Sequence, residues 1–492
     1  MTKSADVIVV GGGPVGLWAA GELARRGIAV TVLEQLDRPS PHSKALTVHP
    51  RTLELLAQRD LIAEPLATGI PITSTHFAQL VNRLDLRELD TPFPFTLLFS
   101  QADVERLLER TARELGVDIR RGHEVTRVRD RGASVEVDVA AGSSSYLLES
   151  CYLVGADGAR STVRSEARIA FEGTPSTGTG TLADVALDAP PPQGALSRYS
   201  AEGGINIVPL NRAGLHRVVV GAGSRALVGT EPTFEMFRAA VREIAGTDYG
   251  MRDPVWVSSF GNSARLAARY RKGRVLLAGD AAHIHSPSGG VGMNVGIQDA
   301  GNLAWRLADV IQGFADESAL DRYHAERHPV GVALLRDTKA QFALRRFDGD
   351  GLALRSFLDD LVGTVPTFAT ALAERIAGLS VRYPTRWDHP LCGARAPDVP
   401  LVGTRLFTAL TTGQPVLLLR RDPGGLFRAA NQRWIDVHTL ATAQERPGWA
   451  DTTAALVRPD GFVEWASAEQ DPNALHVEAL DALRSLRTLP GF

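Results

Sequence analysis

The first thirty-five residues carry two hydrophobic periods in succession. "DVIVV" at 6 to 10 is an unbroken apolar run of the kind found in a strand buried on both faces, and glycines follow it at once. Apolar positions then recur at helical spacing to about Arg26, Gly27 stops the helix, and "AVTVLE" predicts a second strand ending in Glu34. Strand, turn, helix and strand in that order open a doubly wound α/β domain. A helix is predicted from about Arg51 to Gln58, and an amphipathic one over "SQADVERLLERTARELG", capped by Ser100 and stopped at Gly116. "VDIRRGHEVTRVRDRGASVEVDVAA" reads as two strands around a turn at Arg131-Gly132, and "YLVGADG" as a buried strand leading into a turn.

The pattern changes between about 172 and 270. Alternating segments such as "GINIVPL" and "HRVVVGA" predict an antiparallel sheet, interrupted by a helix near 232 to 246. The doubly wound pattern resumes at Val275, and a long helical stretch covers roughly 294 to 378. After Pro390, "GARAPDVPL" is a linker into a module whose strands are "PVLLL" and "ALVRPDGFVEW", with Pro459-Asp460-Gly461 turning the latter. The expected division is 1–171 with 271–388, an inserted sheet domain at 172–270, and a C-terminal module at 389–492.

Bulk properties narrow the function. A chain of 492 residues exceeds one core. A net charge of -3, with acids and bases interspersed, gives no electrostatic reason for nucleic acid or an anionic membrane. No charge-free apolar window is long enough for a membrane helix, and Asp6, Glu22, Arg25 and Arg26 break any signal-peptide reading of the N-terminus. Cys151 and Cys392 match no metal or redox spacing, so a reducing, cytoplasmic setting is expected.

Two glycine-rich turns hold the candidate chemistry. In the first, Gly11, Gly13 and Gly16 enclose Pro14 and Val15 between a strand and a helix, and Glu34 followed by Gln35 closes the next strand. Gly11 permits a tight turn, Gly13 lets a pyrophosphate approach the backbone, and Gly16 lets the helix pack closely. Unpaired amides at the helix start favour phosphate, while Glu34 suits an unphosphorylated adenosine ribose. This turn specifies an ADP moiety without choosing between NAD and FAD. The second turn, "GDAAHIHSPSGGVGMN" at 279 to 294, places an aspartate and four glycines between a strand and a helix.

Together with "GADGARSTVR" at 155 to 164, these turns resemble in order and spacing the class A flavoprotein aromatic monooxygenases, which include para-hydroxybenzoate hydroxylase. The likeness is strongest to actinobacterial polyketide hydroxylases and rifamycin monooxygenases, which carry a similar "YHAERHPV" (323 to 330). The resemblance implies FAD, with Asp280 on the ribityl hydroxyls and Pro287, Gly290, Gly292, Met293 and Asn294 around the isoalloxazine. A helix N-terminus there would stabilise the negative charge of a reduced flavin, and the glycines keep side chains off a planar ring. Asp157 and Gly158 are expected near the pyrophosphate, Gln101 on the flavin chain and the backbone of Val125 at the adenine. Arg160 and Arg164 are plausible charge partners, with a purely structural Arg164 equally open. Lys44 stands where the family places arginine, and Arg51 matches a further family arginine or is a solvated helix residue.

The resemblance also implies the reaction. NADPH or NADH, with no domain of its own, reduces the flavin transiently; O2 then forms a C4a-hydroperoxide whose distal oxygen passes to a bulky aromatic. The cofactor carries the chemistry, so no catalytic side chain is assigned. Tyr199, Asn206, Phe93 and Pro287 are candidates for the substrate wall, the aromatics of 93–99 being equally readable as core. His283 and His285 lack a third ligand at metal spacing, which favours packing or hydrogen bonding over a metal. The C-terminal module resembles a thioredoxin-like appendage without C-x-x-C, a contact element in a monomer or homodimer. Two alternatives stay open: Baeyer-Villiger insertion on a similar substrate, and a flavin-containing drug-binding module without turnover.

Overall fold

The computed structural model describes residues 5–486 except 193–194, 201–202, 211–213, 222–231, 346–347, 422–433 and 442–445. At its centre is the parallel sheet that the buried apolar runs predicted. Val7–Val10 lies between Tyr152–Gly155 and Val30–Glu34; Val275–Leu277 and Asp118–Arg121 flank these, and Arg271–Lys272 adds an antiparallel edge. The helices Pro14–Arg25 and Gly292–Ile311 pack on each other against this sheet. All four residues of the first strand are buried, as a strand covered on both faces requires.

The run from 117 to 141 is not two strands. Gly122, at φ +71°, breaks it, and a Cβ there would lie 2.3 Å from Asp37 Oδ1. Only the part before Gly122 joins the parallel sheet. His123–Asp130, Val135–Ala141 and Ser144–Ser150 form a separate antiparallel sheet. The single helical stretch expected at 294–378 is four helices: Gly292–Ile311, Asp321–Ala343, Gly349–Thr364 and Pro366–Ala377.

The inserted region forms a five-stranded antiparallel sheet in the order Leu196–Ser200, Gly203–Pro209, Leu215–Val220, Thr179–Leu187 and Met251–Gly261. Alternation sorts its faces. Ala183, Val185, Ile205, Ile207, Val218 and Val220 bury one face under the helix Phe234–Ala245. Leu182, Asp184, Asn206, Arg217 and Val219 belong to the other. The register pairs Leu182 and Asn206 with Val219, and Asp184 with Arg217.

In the C-terminal module a mixed sheet runs Asp436–Thr439, Val416–Leu419, Ala454–Val457, Val463–Ser467, beside the helix Pro472–Leu486. Cys392 is buried in its core, where desolvation pushes the thiol up to about 11. The Pro459-Asp460-Gly461 turn inserts into the cofactor domain. Arg59 donates to the Pro459 carbonyl (2.8 Å), Arg51 to the Asp460 carbonyl (2.6 Å), and Asn302 to the Asp460 carboxylate (3.2 Å). Arg458 bridges Asp460 and Glu326, which also pairs with Arg306 at 2.7 Å. Burial pushes the Glu326 carboxyl up, but Arg306, Arg458 and Arg322 outweigh it and hold it down at about 2.

Arg51 is thereby corrected: it is neither a cofactor ligand nor solvated. It is fully buried, paired with Glu54 at 2.7 Å and stacked over Phe462. Removing Arg458 would take a shared cation from three buried carboxylates, Glu326, Asp460 and Glu464, leaving Arg306, Asn302 and Arg322 as their remaining partners. Arg458→Ala is therefore expected to cost about 3–5 kcal/mol in urea unfolding, without change at exposed pairs such as Arg87–Asp85.

Candidate functional site: two turns in contact

The glycines of the first turn have separate steric jobs. Gly11 sits at φ +107°, and a Cβ on it would lie 2.3 Å from the Ala156 carbonyl oxygen. A Cβ on Gly16 would lie 2.0 Å from the Gly11 oxygen, so only glycine lets the helix approach the strand end. Gly13 is different: the nearest atom to its virtual Cβ is Glu105 Oε1, 4.0 Å away. That open backbone is where a phosphate chain can come close. Pro14 is the first residue of a helix with no side-chain cap, leaving its first amides for an external acceptor.

Around this turn the polar groups are fixed. Glu34 accepts from the Gly12 amide (2.6 Å) and the Leu36 amide (2.9 Å), orienting its carboxylate beside the glycines; Gln35 is exposed. Gln101 accepts from the Ala45 amide (3.1 Å) and donates to Glu105 (2.8 Å). Glu105, absent from the sequence reading although it stands one helical turn beyond Gln101, faces Gly13, and burial raises its carboxyl. Val125 pairs with Val139 while Arg127 pairs with Asp138, so Thr126 is an extra residue and the strand bulges there.

The turn at 155–158 abuts the first. The Asp157 carboxylate accepts from Ser161 Oγ (2.6 Å) and the Val163 amide (3.0 Å), capping the helix Thr162–Glu166, while Gly158 at φ +80° has no atom within 4 Å of a virtual Cβ. Arg164 takes the structural alternative. It donates to the carbonyls of Ala281 and Ala159 and stacks on Phe171 at 3.7 Å. Arg160 is exposed.

The second turn lies directly on the first. A Cβ at Gly296 would be 2.6 Å from Val15 Cγ2, and one at Gly279 would be 3.0 Å from the same atom. Val15 thus fills the seam between the turns. Beneath it, the buried carboxylate of Asp299 organises the second turn. Asp299 Oδ2 accepts from the Gly279 amide (3.2 Å) and lies 2.7 Å from His283 Nε2, and Oδ1 accepts from Arg327 Nε at 2.7 Å. Burial pushes this carboxyl up; Arg327 and His283 prevail and hold it down. Asp280, next to Gly279, is left exposed on the turn Gly279–Ala281.

Residues 287–294 are braced from outside. Pro287 is exposed, Gly289 and Gly290 have φ of +77° and +65°, and a Cβ on Gly290 would lie 2.8 Å from Thr47 Oγ1. The Asn294 side chain does not point to a ligand. Its Oδ1 accepts from the His49 amide (2.8 Å), and its Nδ2 donates to the carbonyls of Thr47 and Gly290 (3.1 and 3.2 Å). What Asn294 and Met293 can offer is their place in the first turn of the helix that starts at Gly292. Burial lowers His49 to about 4, so its neutral ring donates from Nδ1 to the Ile376 carbonyl at 2.8 Å.

The histidines of this loop are structural. His283 is fully buried against Asp299, and His285 Nδ1 donates to the Ser286 carbonyl at 2.6 Å. Among the described residues no cluster of three potential ligands could hold a metal. Asp299 and Arg327 went unrecognised in the sequence; the available signal was an acid seven residues into the second helix and an arginine inside "YHAERHPV".

The candidates for the substrate wall separate. Asn206 is half-buried on the sheet face away from the helix Phe234–Ala245. A cavity between that face and the cofactor domain is lined by Asp184, Arg217, Pro209, Leu210, Leu215 and Val255 on one side and by Pro41, His42, Ser43, Leu46, Leu98, Ser100 and Asp103 on the other. Tyr199 pairs with Gly204 in an edge strand, and its side chain lies outside the described residues. Phe93 packs edge-to-face on Phe95 against the main core, the alternative left open for it. Lys44 is exposed, and its carbonyl accepts from Arg217 at 3.1 Å.

Comparison with known proteins agrees with this geometry. The FAD binding domain family matches residues 4–338, and the aromatic-ring hydroxylase C-terminal family matches residues 389–486. The chain is 44% identical over 489 residues, 97% of both chains, to an uncharacterised aromatic compound monooxygenase of Bacillus subtilis. It is 40% identical over 472 residues to a rifampicin monooxygenase of Streptomyces venezuelae, covering 94% of this chain and 96% of that one. The solved anhydrotetracycline hydroxylase of Streptomyces rimosus superposes with a TM-score of 0.90 at 38% identity, over 99% of this chain and 100% of that one.

The residues fit FAD. The open approach at Gly13 and the uncapped helix at Pro14 belong to the first turn, and the exposed Asp280 follows Gly279, which meets that turn at Val15. Asp280→Ala is expected to purify folded but free of FAD, read as the ratio of flavin to protein absorbance. Asp299→Asn, at a buried carboxylate whose partners are all within the protein, is expected to lower FAD retention and the melting temperature together.

Proposed function

The chain belongs to the FAD-binding aromatic-ring hydroxylases, and on that premise we propose that it is an NAD(P)H-consuming monooxygenase hydroxylating a bulky polycyclic aromatic of polyketide or antibiotic type. The observation that carries the reading is the contact of the two glycine turns through Val15, in a chain whose inserted sheet bounds a cavity with the cofactor domain. The balance is ArH + O2 + NAD(P)H + H+ giving ArOH + H2O + NAD(P)+. FAD held here would supply hydride acceptance from the nicotinamide and oxygen activation; the protein binds, orients and excludes water.

In this reading Gly11, Gly13, Pro14, Val15 and Gly16 receive the pyrophosphate, with Asp157 and Gly158 bounding it from the neighbouring turn. Glu34 and Gln35 meet the adenosine ribose, and the bulge at Val125 offers backbone atoms to the adenine. Gln101 lies along the flavin chain. Asp280 accepts from the ribityl hydroxyls, and Pro287, Gly290, Gly292, Met293 and the Asn294 backbone border the ring. The positive end of the helix that starts at Gly292 would stabilise negative charge on a reduced ring held at this turn. Lys44 keeps a cation near the cofactor but lacks an arginine's bidentate fork. Asn206 is the substrate-facing polar group on the sheet. The division into 1–171 with 271–388, 172–270 and 389–492 is part of the same proposal, as is a cytoplasmic setting; no helix among the described residues is long and apolar enough to cross a membrane.

The test is incubation of the holoenzyme with NADPH or NADH and a panel of aromatic polyketides and rifamycins. The expected result is substrate-stimulated nicotinamide oxidation, with one product heavier by a single oxygen bearing a new aromatic hydroxyl. A product with oxygen inserted beside a carbonyl would establish the Baeyer-Villiger alternative. A flavin that responds to ligand without consuming NAD(P)H would establish a binding module instead.

A further inference from the structure

The cavity between the sheet and the cofactor domain has an uneven charge. Among its described lining residues Arg217 is the one lysine or arginine, facing two carboxylates, Asp184 and Asp103. Arg217 is already committed. Its Nε and Nη2 donate to the two oxygens of Asp184 at 2.7 and 2.8 Å, and its Nη1 donates to the Lys44 carbonyl. The guanidinium lies 5.4 Å from the centroid of Trp256, which stacks in turn on His42 at 5.1 Å. Both charged side chains are nine-tenths or more buried, so water does little to screen them. Asp103 pairs with Arg106, an arm 62% exposed outside the cavity.

A bidentate arginine is the natural receptor for a ring carboxylate, and here an internal carboxylate occupies it. A substrate carboxylate entering this space would meet a neutralised cation and two acids, and would lose its own hydration without compensation. A phenolic hydroxyl meets acceptors on Asp184 and the hydroxyls of Ser43 and Ser100.

We propose that the Asp184–Arg217 pair is a specificity element that rejects carboxylate-bearing aromatics and admits neutral, hydroxylated ring systems. This rests on reading the sheet face as the substrate wall, and it narrows the proposed substrate to an uncharged polyphenolic class. Asp184 and Arg217 act here as selectivity residues, with no part in the oxygen transfer.

The experiment titrates FAD-loaded protein with a matched pair of probes, 2-naphthol and 3-hydroxy-2-naphthoate, following perturbation of the flavin spectrum at fixed ionic strength. Wild type is expected to bind the naphthol at least about tenfold more tightly than the carboxylate. Asp184→Asn, nearly isosteric, should uncover the guanidinium and bring the carboxylate to within about threefold of the naphthol or ahead of it. Arg217→Gln should move the ratio the other way, leaving Asp184 as an unopposed anion. Flavin occupancy and melting temperature establish that each variant is folded, and if neither folds the wild-type ratio decides alone. Equal affinities in wild type, a ratio unmoved by both substitutions, or no flavin response to either probe would overturn the proposal. An intact ratio without stimulated NAD(P)H oxidation by any aromatic would instead defeat the oxygenase reading and leave this one standing.

Discussion

The site hangs on one buried carboxylate. Asp299, 1% exposed, draws together the Gly279 amide and His283 of the second turn and Arg327 of the helix Asp321–Ala343. A charge so far from water persists only with its partners in place, and this requirement fixes where the second turn sits. Arg327 in turn donates to the Tyr383 hydroxyl at 3.1 Å and to the Val295 carbonyl at 3.2 Å, extending the bracing to the segment before the C-terminal module. Asp280 needs no internal partner because its neighbour Gly279 is held for it.

Packing completes what charge begins. Gly279 and Gly296 come from opposite ends of the second turn, and both leave room for Val15 of the first. The two halves of the candidate cradle are therefore packed in direct contact, although more than two hundred and fifty residues separate them in sequence. The C-terminal module contributes from a distance. Its Asp460 turn occupies Arg51 and Arg59 on the helix Pro50–Ala57 and its end, the element that follows the Thr47–His49 strap against Gly290.

Legibility followed locality. Strands, caps and glycine roles rest on neighbours in sequence, so Ser100 caps its helix, Gly11 and Gly16 have the predicted close contacts, and the Pro459-Asp460-Gly461 turn falls in place. The misreadings came from long-range partners. Arg51 looked like a ligand or a surface residue because its carbonyl acceptor lies 409 residues away. Asp299 carried no local mark of its importance. The break at Gly122 was local, but a single glycine between two polar residues did not distinguish a turn from a strand interior.

The central claim is that the two turns make one cofactor cradle because they touch, and Gly296→Val tests it without altering any group proposed to contact FAD. The added side chain would press on Val15 and on the Gly279 Cα, 3.1 Å from its Cβ, and force the turns apart. Measured by fluorescence titration of the apoprotein, FAD affinity should fall by at least about a hundredfold, the order expected when a binding geometry is displaced by an ångström. Circular dichroism should still report a folded chain. An affinity equal to wild type in a folded variant would contradict the account.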